Sequence, residues 1–183
     1  MCIFSLVYPT FKPYKLQRTG QKPPVNRREV TITAVLNGKS VSTRIPSNYT
    51  IAEFLRENQN LTGTKLGCNR AECGVCTVLL DNVPVFSCTT LAAEANGRSV
   101  DTVEGLANDG ILHALQQAFV EKDALQCGFC TPGLLMSLKP LFDGHENPSI
   151  EQVKEAIAGN YCRCGAYQNI FQAAMQAIQY NRK

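Results

Sequence analysis

The sequence predicts an α+β protein in two parts, a small strand-rich unit followed by a bundle of four short helices. Three observations predict it. Apolar residues alternate with a period of two from Val30 to Ile45 and recur in short runs over 77–86, whereas beyond Glu104 the period lengthens to three or four. Eight of the nine cysteines fall into two quartets, one in each part. At 183 residues, 44% hydrophobic and 18% charged, the chain can bury a core in one or two small domains and lacks the composition of a disordered protein.

In chain order, Val30, Ile32, Ala34 and Leu36 mark a strand, Asn37-Gly38 is a favoured two-residue turn, and Val41 and Ile45 lie on the returning strand. Thr50-Ile51-Ala52-Glu53 has the form of a capping box, with Ile51, Phe54 and Leu55 on one helical face. Strands follow over 77–80 and 83–86 around an Asp81-Asn82 turn, and a last one over 99–103 closes an α+β unit at residues 30–104. In residues 105–183, Ile111, Leu112, Leu115, Ala118 and Phe119 mark one helix, and Leu134, Leu135, Leu138 and Leu141 a second. Ser149-Ile150-Glu151-Gln152 is another capping box, opening a helix that stops at Gly159. Ile170, Ala173, Ala174, Ala177 and Ile178 mark the fourth.

Residues 1–29 differ from the rest. Lys12, Lys15, Arg18, Lys22, Arg27 and Arg28 precede the first acid, and Pro9, Pro13, Pro23 and Pro24 disfavour regular structure. Without those six cations the remaining chain carries twelve basic and fifteen acidic residues, so the formal +3 hides a basic arm on an acidic body. The arm reads as an extended contact for a partner subunit or as a solvated tail. Its apolar opening is too short for a signal core, Arg27-Arg28 is followed by an alternating strand and not an apolar run, and no stretch approaches ~20 apolar residues.

The cysteines carry the chemistry. Cys68-x4-Cys73-x2-Cys76, followed after eleven residues by Cys88, has the spacing of a plant-type ferredoxin, in which four thiolates hold two irons and two sulfides. Gly67 and Gly74 permit a backbone that wraps a cluster and brings amides close to sulfur. Cys127-x2-Cys130 stands ahead of a helix with Pro132 in its first turn, and Cys162-Arg163-Cys164 ahead of the last helix. Both pairs then meet positive helix ends. The Cys162/Cys164 pair, in one short extended turn, is expected to share one iron. Zinc remains an alternative for this quartet taken alone. The clustering, together with the absence of a visible secretory signal, argues against a disulfide framework and for a reducing, cytoplasmic setting. Cys2 is read as a free thiol without a ligand role. His113 and His145 have no partners that would make a catalyst.

Three segments together resemble a known family. Gly67-Cys68-Asn69-Arg70-Ala71-Glu72-Cys73-Gly74-Val75-Cys76-Thr77, Gln126-Cys127-Gly128-Phe129-Cys130-Thr131-Pro132-Gly133 and Gly159-Asn160-Tyr161-Cys162-Arg163-Cys164 closely resemble the iron–sulfur subunit of the molybdenum hydroxylases. These are the xanthine oxidase, aldehyde oxidoreductase and carbon monoxide dehydrogenase enzymes. The resemblance covers roughly residues 30–180. It implies a β-grasp, ferredoxin-like 2Fe–2S domain and a four-helix-bundle 2Fe–2S domain. It implies a non-catalytic electron-transfer subunit, with two 2Fe–2S clusters held by Cys68, Cys73, Cys76 and Cys88 and by Cys127, Cys130, Cys162 and Cys164. Its partners by the same resemblance are a large molybdopterin-binding subunit and a medium FAD-binding subunit. Gln126 and Cys164 are the positions expected at the pterin, and electrons are expected to pass from the second quartet's cluster to the first's and on to FAD. Many members read Cys-Arg-Cys-Thr-Gly-Tyr where this chain has Cys162-Arg163-Cys164-Gly165-Ala166-Tyr167. On that variant the substrate expected is an aldehyde, with purines, N-heterocycles, aryl-CoA thioesters and carbon monoxide as alternatives. A free-standing ferredoxin-like carrier and a zinc-stabilised module are the readings from other classes.

Overall fold

The hairpin forms where the alternation places it, and its turn residues explain the register. In the computed structural model, which describes residues 28–181, β1 (Glu29–Leu36) and β2 (Lys39–Pro46) pair antiparallel, with Leu36 opposite Lys39. Asn37 and Gly38 both have positive φ, 48° and 78°, matching the strand twist. Ile32, Ala34 and Leu36 are buried while Thr31, Thr33 and Val35 are exposed, as a period of two requires. The basic arm up to Arg27, and Cys2 within it, lie outside the described residues.

Thr50 and Glu53 make the expected capping box: the Glu53 amide donates to Thr50 Oγ1 at 3.2 Å, and the Thr50 amide to Glu53 Oε2 at 2.8 Å. The helix they open differs from expectation. α1 (Ile51–Glu53) widens at once into a π-helical turn over Phe54–Asn58, and the Gln59 amide reaches back to Phe54 O at 3.0 Å. Ile51, Phe54 and Leu55 are all fully buried, as positions i, i+3 and i+4 of one apolar face.

β3 (Thr77–Leu80) and β4 (Val83–Phe86) form a second hairpin about Asp81 and Asn82. β5 (Ser99–Asp101) completes a sheet ordered β2-β1-β5-β3-β4, with only β1 and β5 parallel. This last strand, expected to reach Val103, stops at Asp101. The Thr102 amide turns instead to Asn37 Oδ1 (2.8 Å), and a 3₁₀ turn follows over Val103–Gly105. Ile32, Ile45, Phe54, Leu55, Val78 and Val100 make the core of this half.

Among the described residues of the second half lie α2 (Ala114–Glu121), α3 (Thr131–Gly144), α4 (Ile150–Ala156) and α5 (Tyr167–Asn181). They share one core built from Leu115, Phe119, Leu134, Leu138, Val153 and Ile170. Ile111 and Leu112, expected on the first of these helices, are not in it. His113 caps it instead, Nδ1 accepting from the Leu115 amide (3.2 Å) and the His113 amide donating to Gln116 Oε1 (2.9 Å). The helix therefore begins at Ala114, and Ile111 is left 75% exposed. The Ser149 capping box is present as expected.

The halves pack together along α3. α3 packs on β3, all four of whose residues are buried. Gly133, in the first turn of α3, comes so close that a Cβ there would run into the Gly74 carbonyl and lie 2.9 Å from Val75 Cα. Alanine for glycine inside a helix ordinarily stabilises by ~1 kcal/mol. Here overpacking, at ~1–3 kcal/mol, opposes it. Gly133→Ala is expected to lower the melting temperature, by about 2–4 °C per kcal/mol of net loss, in a thermal scan followed by circular dichroism.

Candidate metal centres

The first quartet is assembled by a loop and a hairpin. Cys76 immediately precedes β3, and Cys88 follows β4 by one residue. The hairpin register pairs Thr77 with Phe86, so the next positions, Cys76 and Ser87, are also apposed; Ser87 Oγ donates to Cys76 O at 2.7 Å. The length of the hairpin thus accounts for the eleven-residue gap. Cys68 and Cys73 stand on the preceding loop, where Asn69, Ala71 and Gly74 have φ of 55°, 60° and 66°. These left-handed turns aim amides at sulfur. The Glu72 and Cys73 amides donate to Cys68 Sγ at 3.3 and 3.4 Å, and the Cys68 amide to Cys73 Sγ at 3.4 Å.

The electrostatics divide this quartet into unlike pairs. The amides of Glu72 and then Arg70 draw the Cys68 thiol down to about 7. Burial pushes Cys76, which is in contact with the Cys88 thiol, up to about 12. Cys68 and Cys73 form a partly exposed outer pair, Cys76 and Cys88 a buried inner one.

The second quartet repeats the division. Cys130 is the N-cap of α3 and Cys127 precedes it in an exposed loop. Cys164 Sγ lies 3.5 Å from Cys127 Sγ, and the Cys130 and Cys162 thiols meet inside. The sulfurs thus group otherwise than the expectation that Cys162 and Cys164 share one iron would have them, each standing beside a cysteine of the other segment. The Cys162–Gly165 segment is a turn, the Gly165 amide donating to Cys162 O at 3.1 Å with Gly165 at φ 74°, and it parts the two thiols: Cys162 is buried, its amide donating to Tyr167 Oη (2.9 Å), while Cys164 is half-exposed. Burial pushes Cys130 up to about 12. Burial also raises Cys162, but the amides of Ala166, Cys164 and Gly165 and the Cys130 thiol outweigh it, and the net shift is downward. The Phe129 amide, then the Cys164 thiol, lower Cys127.

Two pairs of sulfurs per quartet, ringed by amide donors, fit a two-iron cluster, which takes two thiolates on each iron. A mononuclear ion needs convergence on one point, and no three metal-ligating side chains converge so among the described residues. The quartets are also joined. The Tyr161 amide donates to Cys73 O at 2.9 Å, and Asn160 Nδ2 to Gly74 O at 2.8 Å. Sequence reasoning alone misses Asn160, Tyr167 and Phe129; a buried asparagine beside a cysteine pair has no signal until its burial is known. Gln126, expected at a pterin, is exposed beside Cys127 on the Cys164 edge. His113 caps α2, and His145 caps α3 at its other end.

Residues 34–107 match the family described as 2Fe-2S iron-sulfur cluster binding domain, and residues 102–175 the family described as [2Fe-2S] binding domain. The nicotine 6-hydroxylase small subunit of Paenarthrobacter nicotinovorans is 47% identical, over 84% of this chain and 92% of that one. The chain is an iron–sulfur subunit of the molybdenum hydroxylase family. As such a subunit it carries two 2Fe–2S clusters and serves electron transfer in an oxidoreductase without itself being the catalytic chain. The caffeine dehydrogenase subunit gamma of Pseudomonas sp. (strain CBB1) is 49% identical, over 78% of this chain and 87% of that one. The crystal structure of quinoline 2-oxidoreductase from Pseudomonas putida 86 contains a chain that superposes with a TM-score of 0.81 at 41% identity, covering 84% of this chain and 96% of that one. An aldehyde oxidoreductase iron-sulfur-binding subunit of Escherichia coli stands at 37%, over 80% of this chain and 70% of that one. No helix among the described residues is long and apolar enough to cross a membrane.

In metal-free protein the thiolate fractions predict an order of alkylation. Cys68 is expected to react first with iodoacetamide, its rate rising as pH passes about 7 and levelling above, with Cys127 also early and Cys76 and Cys130 last. Peptide mass spectrometry over a pH series checks it.

Proposed function

We propose that Cys68, Cys73, Cys76 and Cys88 hold one 2Fe–2S cluster and Cys127, Cys130, Cys162 and Cys164 the other. On this reading residues 30–104 form a β-grasp domain, residues 105–183 a four-helix-bundle domain, and residues 1–29 an arm that lies on a partner. When bound, the two clusters supply one-electron relay between the molybdopterin of a large subunit and the FAD of a medium subunit. The observation that carries the reading is the polarity of the site. Each quartet has an outer and an inner sulfur pair, and the hydrogen bond from Tyr161 N to Cys73 O links the two loops.

The chain's own residues then have distinct work. The amides on Cys68 and Cys127 stabilise thiolate charge and, with the cluster bound, its negative sulfurs. The exposed Gln126 and the Cys127/Cys164 edge form the face turned to the pterin, where an amide can both donate and accept. The cluster of Cys68, Cys73, Cys76 and Cys88 is the one that hands electrons on to the flavin subunit. Such an assembly is cytoplasmic, where thiolates stay reduced.

For the substrate, the relatives named for nicotine and caffeine and the neighbour named for quinoline are all closer than the aldehyde enzyme, at 41–49% identity against 37%. We therefore favour a nitrogen heteroaromatic over the aldehyde expected from Cys162-Arg163-Cys164-Gly165-Ala166-Tyr167, with the pocket itself belonging to the large subunit.

Two experiments test these readings. The reduced complex is expected to give two distinct 2Fe–2S signals by low-temperature EPR, and Cys164→Ser to change one and leave the other; a single signal, or equal loss of both, contradicts the assignment. The complex purified with its own partners is expected to turn over pyridine- or purine-type heteroaromatics at least tenfold faster than aromatic aldehydes in a dye-reduction assay. The reverse preference restores the aldehyde reading.

A further inference from the structure

Between the two quartets lies a cavity of ≈ 220 Å³ with an almost wholly apolar lining. Cys68 and Cys73 border it on one side, Cys127 and Cys130 on the other, and Gly67, Val75, Phe129, Tyr161 and Arg163 complete the wall. Both aromatic residues belong to second-quartet loops, yet both reach the first. Phe129 Cε1 would lie 3.8 Å from a Cβ on Gly67, the residue before Cys68. The Tyr161 amide is bonded to Cys73 O, and its hydroxyl accepts from Arg163 Nη1 at 3.1 Å, which holds the ring in place. Cores account for neither side chain: Phe129 is 45% and Tyr161 51% exposed in this chain, a large apolar surface to leave beside four metal-ligating sulfurs.

We propose that Phe129 and Tyr161 close a shared, water-excluding space between the two iron–sulfur sites, so that one pair of side chains sets the polarity felt by both clusters. The inference rests on the ligand assignment proposed above. The physical argument concerns charge. A reduced 2Fe–2S cluster carries one more negative charge than the oxidised one, so its energy falls more steeply when water approaches, and solvent exposure is one of the quantities that set its potential. Keeping the gap apolar holds both potentials down together. A residue acting only on its own loop would move only the cluster that loop ligates, the one assigned to Cys127, Cys130, Cys162 and Cys164. Coupled movement is therefore the signature of the shared space.

The test is an EPR-monitored redox titration of the assembled complex, which reads each cluster separately. Phe129→Asn and Tyr161→Asn, which open the wall and bring in a polar group, are each expected to shift both midpoint potentials upward. Phe129→Leu and Tyr161→Phe keep the wall apolar and are expected to leave both close to wild type. A shift in only one potential, in opposite directions, or in neither, overturns the proposal. Spin quantitation of both signals shows that a variant is assembled, and where one asparagine variant fails to assemble the other decides the outcome. Failure of the ligand assignment is recognised separately, in the wild type, by the absence of two signals.

Discussion

Everything about this molecule hangs on the place where the Gly74–Val75 backbone meets α3 and the loop before α5. Gly74 O accepts from Thr77 Oγ1 (2.7 Å), from the Thr77 amide (3.1 Å) and from Asn160 Nδ2 (2.8 Å), while Gly133 presses against it without a side chain between. Gly74 is at φ 66°, and a Cβ on it would strike the Gly159 carbonyl. Two backbones can approach this closely only where neither carries a Cβ, and a carbonyl buried there must be satisfied locally. The contact sits one residue from Cys73 and two from Cys76 and Cys162. Packing between the halves and spacing between the metal centres are therefore the same constraint.

The sulfur chemistry is graded around that point. Amides lower the Cys68 thiol to about 7 and draw Cys127 down as well, while Cys76 and Cys130, stripped of water, hold their protons to about 12. Metal binding requires thiolate, so loading a cluster must drive protons from Cys76 and Cys130, which the charge of iron makes favourable in so dry a setting. In each quartet two thiols are accessible and two lie deeper behind them.

Much of this is legible in the chain. Alternation in Val30–Leu36 and the Asn37-Gly38 turn specify a hairpin because the side-chain period and the turn dihedrals agree. Thr50/Glu53 and Ser149/Gln152 mark helix starts because a capping box is a purely local exchange of hydrogen bonds. The departures share a different cause. Ile111 and Leu112 fit a helical period, but His113 supplies a cap that periodicity does not register. The strand expected through Val103 ends early because Asn37, 65 residues away, takes the Thr102 amide. In each case a side-chain hydrogen bond outranks the hydrophobic pattern.

By itself the sequence determined that the chain carries two quartets of thiols at metal-ligand spacing, since residue identity and separation along the chain are covalent facts. Only the tertiary structure decided which sulfurs stand together. Cys162 and Cys164 are neighbours in the chain, yet one pairs with Cys130 inside and the other with Cys127 at the surface. The turn closed between Cys162 O and the Gly165 amide parts the two thiols, and their partners are chosen by whichever loop the packing of α3 and α5 brings alongside. The same packing brings Phe129 and Tyr161 from one quartet's loops to the edge of the other, a proximity that no local spacing encodes.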